Sequence, residues 1–243
     1  LRTVEDTLKI RAFVEDKKPK TAVMVGGGFI GLEVAENLCD LGVKVTVVQR
    51  PKQLMNILDY DMATLVHNKL RSKGISLKLG GDVIGFEEKE QLQVLLKDDE
   101  PISTDMVLMA IGVSPETTLA KNAGLELGIK GAIVVNDKME TSVPDIYAVG
   151  DAVQVKHTVT GNNAVISLAG PANKQGRIVA DNICGLDSHY KGSMGSSVIK
   201  LFDMTAASTG LTEKAAKDAG IDYERVVLSP ASHAGYYPGA KVM

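Results

Sequence analysis

The chain has 243 residues, 44% of them apolar, enough to bury one large core or two ordinary ones. Its formal net charge of −3 comes without a basic stripe, which argues against a nucleic-acid partner. A membrane helix needs roughly 18 to 20 consecutive apolar residues; the longest run here, Met106 to Val113, falls far short, so no membrane partner is expected. Cys39 and Cys184 lie far apart, in neither a metal-ligand spacing nor a disulfide framework. No metal site is expected, and a reducing, cytoplasmic compartment is the default. The sequence opens at Leu1 with no initiator Met or signal-like segment and stops at Met243 soon after Tyr-Tyr-Pro-Gly; the expectation is a chain cut at both ends.

In chain order, residues 4–16 place Val4, Leu8 and Phe13 among charges, the pattern of an amphipathic helix ended by Lys-Lys-Pro. The run TAVMV, from Thr21, suits a buried parallel strand. Glycines follow at once, then a predicted helix from Phe29 to Leu41 closed by Gly42, then the β-rich run 43–48, which together make a β-α-β unit. A further helix is predicted from Asp61 to Lys73, stopped at Gly74. Short alternating runs near 75–79, 82–87 and 91–96 predict a small antiparallel meander, and Asp105 to Ile111 returns to the buried-strand pattern. Strands are expected at 132–135 and in DIYAVGD, 145–151, with a helix from about Ala172 to Ile183. From Gly192 the composition shifts, and SSVIKLF, TEKAAKDAG and YERVVLS suggest a further unit.

Gly26, Gly28 and Gly31 in GGGFIGLE form a G-x-G-x-x-G directly after a buried strand and at the opening of a helix. In that context the first glycine permits a tight turn, the second lets backbone approach a pyrophosphate, and the third lets helix and strand pack closely. The diphosphate then sits on the helix N-terminus, where unpaired N–H groups and the dipole favour an anion. The second strand ends at Gln49 rather than at the carboxylate that would bond the 2'-hydroxyl of NAD. Arg50 and Lys52 follow and can receive a 2'-phosphate, which favours NADPH slightly. The alternative is a loop of solvated charges, with NADH held through Gln49.

These residues resemble the pyridine nucleotide-disulfide oxidoreductase family, in which an NAD(P)-binding domain is inserted into a split FAD domain. Three more segments carry the resemblance: AIGVSP at 110–115, TSVPDIYAVGD at 141–151 and LAGPANKQGR at 168–177. The resemblance implies an α/β fold: a Rossmann-like NAD(P)-binding domain with an antiparallel meander, a partial FAD-domain segment and a truncated α+β dimerisation domain. The implied division is a connecting helix at 1–18, the NAD(P)-binding domain at 19–138, the C-terminal part of the FAD domain at 139–190, and the start of the dimerisation domain at 191–243. It implies that Ile111 and Gly112 pass beside the nicotinamide, that Gly150 and Asp151 meet the flavin ribitol, and that Leu168 and Ala169 begin a helix aimed at the flavin ring. Phe29 matches an aromatic that lies over the flavin until nicotinamide displaces it, and Ile30 follows it in the loop; plain packing at a helix start is the other reading of Phe29. Glu33 matches a glutamate near the carboxamide, or simply a carboxylate favoured early in a helix.

The resemblance places a first flavin fingerprint and the redox cysteine upstream of Leu1. Neither Cys39 nor Cys184 is assigned a catalytic role; both fall in predicted helices and are expected to pack as small buried hydrophobes. The segment SHAGYYPGAKVM resembles the dimerisation domain of coenzyme A-disulfide reductases and related NADH oxidases or persulfide reductases, in which tyrosines of one subunit reach the partner's site. Tyr236 and Tyr237 are the matching pair, with an aromatic strand end before a turn as the other reading; His233 beside them is read as a surface residue. The implied chemistry is hydride transfer from NAD(P)H to FAD and on to a cysteine centre that reduces a small-molecule disulfide or persulfide, in a homodimer. Alternatives are an NADH oxidase acting on oxygen or peroxide, and a non-catalytic nucleotide-binding module. The 243 residues alone are expected to be inactive.

Overall fold

The computed structural model describes residues 1–241; the last two residues of the predicted dimerisation segment, Val242 and Met243, lie outside them. The chain divides into one compact unit from Leu1 to Gly210 and a second from Leu211 onward.

Helix α1, Val4–Lys17, begins in a capping box: the Thr3 hydroxyl accepts from the Asp6 N–H, and the Asp6 carboxylate accepts from the Thr3 N–H. Lys18, in the left-handed region, closes it ahead of Pro19. The predicted β-α-β unit follows as β1, Thr21–Val25, α2, Phe29–Asp40, and β2, Lys44–Gln49. Helix α3, Tyr60–Ser72, then leads to β3, Ser76–Leu79, and after an excursion the chain returns as β7, Met106–Met109. These four strands make a parallel sheet in the order β3-β2-β1-β7. Alternation along β1 splits its side chains between two cores: Ala22 and Met24 pack with Leu32, Ala35 and Leu70 of the helices, while Val23 and Val25 pack with Val94 and Leu96 of the excursion.

The excursion is the antiparallel meander, with strands β4, Val83–Glu88, β5, Leu92–Leu96, and β6, Asp99–Thr104. This corrects the predicted composition of that sheet. Residues 75–79 belong to the parallel sheet, where β3 pairs with β2; its alternation reflects an edge position, half open to solvent. The third meander strand is instead 99–104, hidden in the sequence by its charges and Pro101, which an edge strand tolerates.

Beyond β7, the short helix α4, Thr118–Asn122, precedes β8, Ile133–Val134, which pairs in parallel with β9, Val153–Lys156; β10, Asn163–Ala164, completes that sheet. Helix α5, Ala169–Ile183, packs Ile178 and Val179 against Met139, Val153 and Val155. DIYAVGD is not the expected strand. Asp145 and Gly150 both take positive φ, which breaks a ladder, and the segment holds one isolated bridge at Tyr147 and a single-turn helix over Gly150–Ala152. A hairpin of β11, Ser197–Leu201, and β12, Met204–Ser208, lays Ile199 and Leu201 into the core beside α2 and α3. Glu36 accepts from the Phe202 N–H at 2.9 Å and Lys69 pairs with Asp203 at 2.8 Å, fixing its turn.

In the second unit, α6, Glu213–Asp218, is capped by the Thr212 hydroxyl, and Arg225 pairs with Glu213 at 3.2 Å. YERVVLS, residues 223–229, forms no strand or helix. Cys39 fits its expectation as a half-buried residue of α2 whose thiol donates to the Lys73 carbonyl at 3.4 Å. Cys184 does not, because it caps the end of α5 and is exposed. Among the described residues no helix is long and apolar enough to cross a membrane, and no cluster of His, Cys, Asp or Glu is placed to hold a metal.

Candidate functional site

The C-terminal ends of β1, β2 and β7 converge on a cleft of about 630 Å³, where open α/β sheets place their ligands. Gly26, Gly28, Gln49, Arg50, Ile111 and Gly112 all line it, and a further wall is Gly81–Phe86, the turn before β4 and the first part of that strand. Sequence reasoning brought together the first six and missed that wall.

The three glycines do different things. A Cβ on Gly26, whose φ is +109°, would overlap the carbonyl of Ala110, and one on Gly31 would overlap the carbonyl oxygen of Gly26. Both are small so that the loop, α2 and β7 can touch. Gly28 differs: among the described residues, its own chain neighbours aside, no heavy atom lies within 4 Å of where its Cβ would stand. The space in front of it is the open side of the loop, the arrangement that lets backbone approach a ligand. Gly28 is also the N-cap of α2, with no side-chain cap and no carboxylate in the first turn among the described residues. The first intrahelical bond reaches back only from the Leu32 N–H to the Gly28 carbonyl, so the preceding N–H groups remain for an anion. A diphosphate fits this loop.

Gly27, a variable position of the fingerprint, is also held from several sides. Its Cβ would run into the Leu54 side chain, its N–H donates to Gln49 Oε1 at 2.8 Å, and its carbonyl accepts from the Met55 N–H at 3.0 Å. Gln49 thus spends its oxygen on the loop, which leaves its amide N–H donors for whatever occupies the cleft. Arg50 is exposed at the rim.

Most of the remaining candidates lie outside the cleft. Phe29 is half-buried against the main core, Ile30 is 43% exposed, and Glu33 lines a separate groove between α1 and α2. Ile111, 71% exposed, and Gly112, with φ +113° and an open front, sit on the loop after β7. Gly150 and Asp151 form the turn beneath α5, and the Gly150 N–H is held by Gln175 Oε1 at 2.7 Å. Gln175 is 1% exposed and escapes a reading of the sequence, because a buried amide inside a helix gives no local signal. Leu168 is the N-cap of α5 and Ala169 its first residue, again with neither a side-chain cap nor an early carboxylate among the described residues. Asp151 is exposed, and the dipole of α5 makes its uncapped N-terminus suited to an anionic or electron-rich group. In the second unit, Tyr236 and Tyr237 lie with ring centroids 4.8 Å apart, Tyr236 being 83% exposed, and His233 contacts Tyr237 at 5.7 Å.

Comparison with known proteins agrees with this geometry. A CoA-dependent NAD(P)H sulfur oxidoreductase of Pyrococcus abyssi is 35% identical over 237 residues, covering 97% of this chain and 53% of the relative. An NADH oxidase of Methanocaldococcus jannaschii is 38% identical, covering 99% and 54%. The crystal structure of reduced Bacillus anthracis CoADR-RHD matches with a TM-score of 0.96 and 49% identity, over 100% of this chain and 43% of that one. The chain therefore spans about half the length of the curated relatives it matches. The family described as pyridine nucleotide-disulphide oxidoreductase matches residues 1–176, and with most of its length under that match the chain belongs to the pyridine nucleotide-disulphide oxidoreductase family.

Proposed function

We propose that this chain is the nucleotide-binding part of an FAD-dependent NAD(P)H oxidoreductase, in which residues 19–138 bind NAD(P)H, 139–190 complete a flavin site and the segment from 191 begins a dimerisation domain. The carrying observation is the open front of Gly28, at an uncapped helix N-terminus beside a cleft of about 630 Å³. The N–H groups of Phe29 and Ile30 bind the diphosphate, the Gln49 amide and Arg50 meet the adenosine ribose or its 2'-phosphate, and Ile111 and Gly112 orient the nicotinamide end. Asp151 and the N-terminus of α5 hold the flavin. When bound, the reduced nicotinamide would supply a hydride to the flavin, from which the electron pair would go on to a cysteine-based centre. The exposed apolar groups Ile30 and Ile111 exclude water once the cofactors cover them.

The acceptor favoured by the sulfur oxidoreductase relative and the CoADR-RHD neighbour is coenzyme A disulfide or a related disulfide or persulfide. The Methanocaldococcus relative supports an NADH oxidase as second reading. Under the first, Tyr236 and Tyr237 donate to a sulfur species in a homodimer, and the two unpaired cysteines suit a cytoplasmic setting. The deciding experiment measures NADH and NADPH binding by the full-length protein, then their consumption against coenzyme A disulfide, oxygen and peroxide. Absence of binding sinks the proposal, and turnover with oxygen alone replaces the first acceptor by the second.

A further inference from the structure

Between β2 and α3 the chain folds back under the glycine loop. Leu54 and Met55 are buried there, at 0% and 2% exposure. The Leu54 side chain occupies the space a Cβ on Gly27 would need, and Met55, at φ +50°, turns its N–H onto the Gly27 carbonyl at 3.0 Å. A methionine in the left-handed region is a local cost that surrounding contacts must offset. Two bonds close this turn, from the Leu58 N–H to the Met55 carbonyl at 2.9 Å and from the Gln53 amide to the Leu58 carbonyl at 3.0 Å.

The Leu54 N–H, buried beneath the loop, donates to His67 Nε2 at 3.0 Å. His67 comes from the buried face of α3, is 2% exposed, and meets the Tyr60 ring edge-on at 6.4 Å. Because the Leu54 amide can only donate, Nε2 is the accepting nitrogen and Nδ1 carries the proton. Burial, with Arg71 nearby, holds the imidazole below its usual pKa of 6.5, in the neutral form that can accept.

We propose that His67 is a positioning residue for the nucleotide loop: by fixing the Leu54 peptide it sets the Leu54–Met55 turn, which holds the Gly27 peptide and thereby the loop's open side at Gly28. The inference rests on the reading of that loop as the diphosphate site. The force runs through two peptide groups, His67 to Leu54 and Met55 to Gly27, with no contact between His67 and the nucleotide. Gln49 accepts from the N–H of Gly27, in the adjoining peptide between Gly26 and Gly27, so the loop is braced from both strand and helix.

The test uses the full-length protein with three substitutions. His67→Leu fills the volume without an acceptor; His67→Gln places an amide oxygen near the position of Nε2; His67→Asn has the same chemistry but falls short of it. At a temperature where all are folded, His67→Leu and His67→Asn raise the dissociation constant for NADH about tenfold, with the KM for NADH rising alongside and the KM for the electron acceptor unchanged; His67→Gln restores most of the affinity. A merely structural histidine lowers the melting temperature without this pattern. If His67→Leu does not fold, the comparison of Gln with Asn carries the test. Equal NADH affinity across the variants, or equal loss in all three, overturns the proposal. A wild-type protein that fails to bind NADH or NADPH instead overturns the reading of the loop itself.

Discussion

Replacing the fingerprint glycines one at a time by alanine separates the two kinds of work they do. Gly26→Ala puts a side chain where φ is +109°, which costs an L-residue about 1–2 kcal/mol, and drives the new methyl into the Ala110 carbonyl. That partner is backbone of β7's exit and cannot rotate away, so overpacking adds about 1–3 kcal/mol. Gly31→Ala meets the Gly26 carbonyl in the same way, without the φ penalty. Gly28→Ala meets nothing, at φ −90° and ψ −169°, values any residue adopts. Its cost to folding is that of a poor N-cap, about 0.5–1 kcal/mol.

Stability and binding therefore split. At about 2–4 °C per kcal/mol for a unit of this size, Gly26→Ala lowers the melting temperature by about 4–20 °C and Gly28→Ala by no more than about 4 °C. The order reverses for the nucleotide: a methyl on Gly28 stands where the diphosphate approaches, weakening NADH by about tenfold to a hundredfold. Calorimetry gives the first quantity, and titration followed by the nucleotide's own fluorescence gives the second. A Gly28→Ala protein that melts as early as Gly26→Ala while binding NADH like wild type refutes the division of labour.

Gln49→Glu keeps an oxygen on the Gly27 N–H but sets a carboxylate at the ribose, so the NADPH-to-NADH ratio of KM values rises about tenfold; an unchanged ratio removes Gln49 from cofactor choice. Gln175→Leu leaves the half-buried Gly150 N–H without its partner, costing about 1 kcal/mol and lowering the flavin content of the purified full-length protein. Asp105 accepts from the Lys20 and Thr21 N–H groups at 2.8 and 3.0 Å, and these bonds hold its carboxyl below the usual 3.8. Its contribution is complete above pH 3.8 and lost as pH falls through the lower folded value, so Asp105→Ala loses stability at neutral pH and shows a flatter acid limb in urea unfolding. Cys184 reacts with a thiol reagent faster than Cys39, whose thiol is half-buried, bonded to the Lys73 carbonyl and raised in pKa by burial and by Asp40; equal rates contradict the placement of both.

What the sequence discloses is what neighbouring residues decide. TAVMV, the glycine loop and the helix after it are set by contacts within a few positions, so their boundaries are legible to within a residue or two. The errors arise where distant partners decide. Residues 76–79 alternate like a hairpin strand, yet α3 carries them to β2, and the sheet edge rather than a hairpin explains the pattern. DIYAVGD has strand composition, but its pairing stops at the single Glu140–Tyr147 bridge, because Asp145 and Gly150 take positive φ and Gly150 spends its N–H on Gln175. Cys184 reads as a helix residue because Ile183 is one; the helix ends a position earlier, and the thiol faces solvent.

The site shows the same divide in sharper form. The fingerprint names Gly26, Gly28 and Gly31 and treats Gly27 as arbitrary, because the rule concerns the ligand and the local turn. Leu54 crowds the Cβ position of Gly27 and Met55 bonds its carbonyl here, and they hold their place through His67, which is far along the chain from Gly27 and on α3. A local motif can therefore state that a diphosphate belongs at this loop, while the stiffness with which the loop awaits it is stored in a buried turn and one imidazole. Preorganisation of that kind lowers the ordering cost of binding, so substitutions at 54, 55 and 67 act on nucleotide affinity although none of the three side chains belongs to the fingerprint.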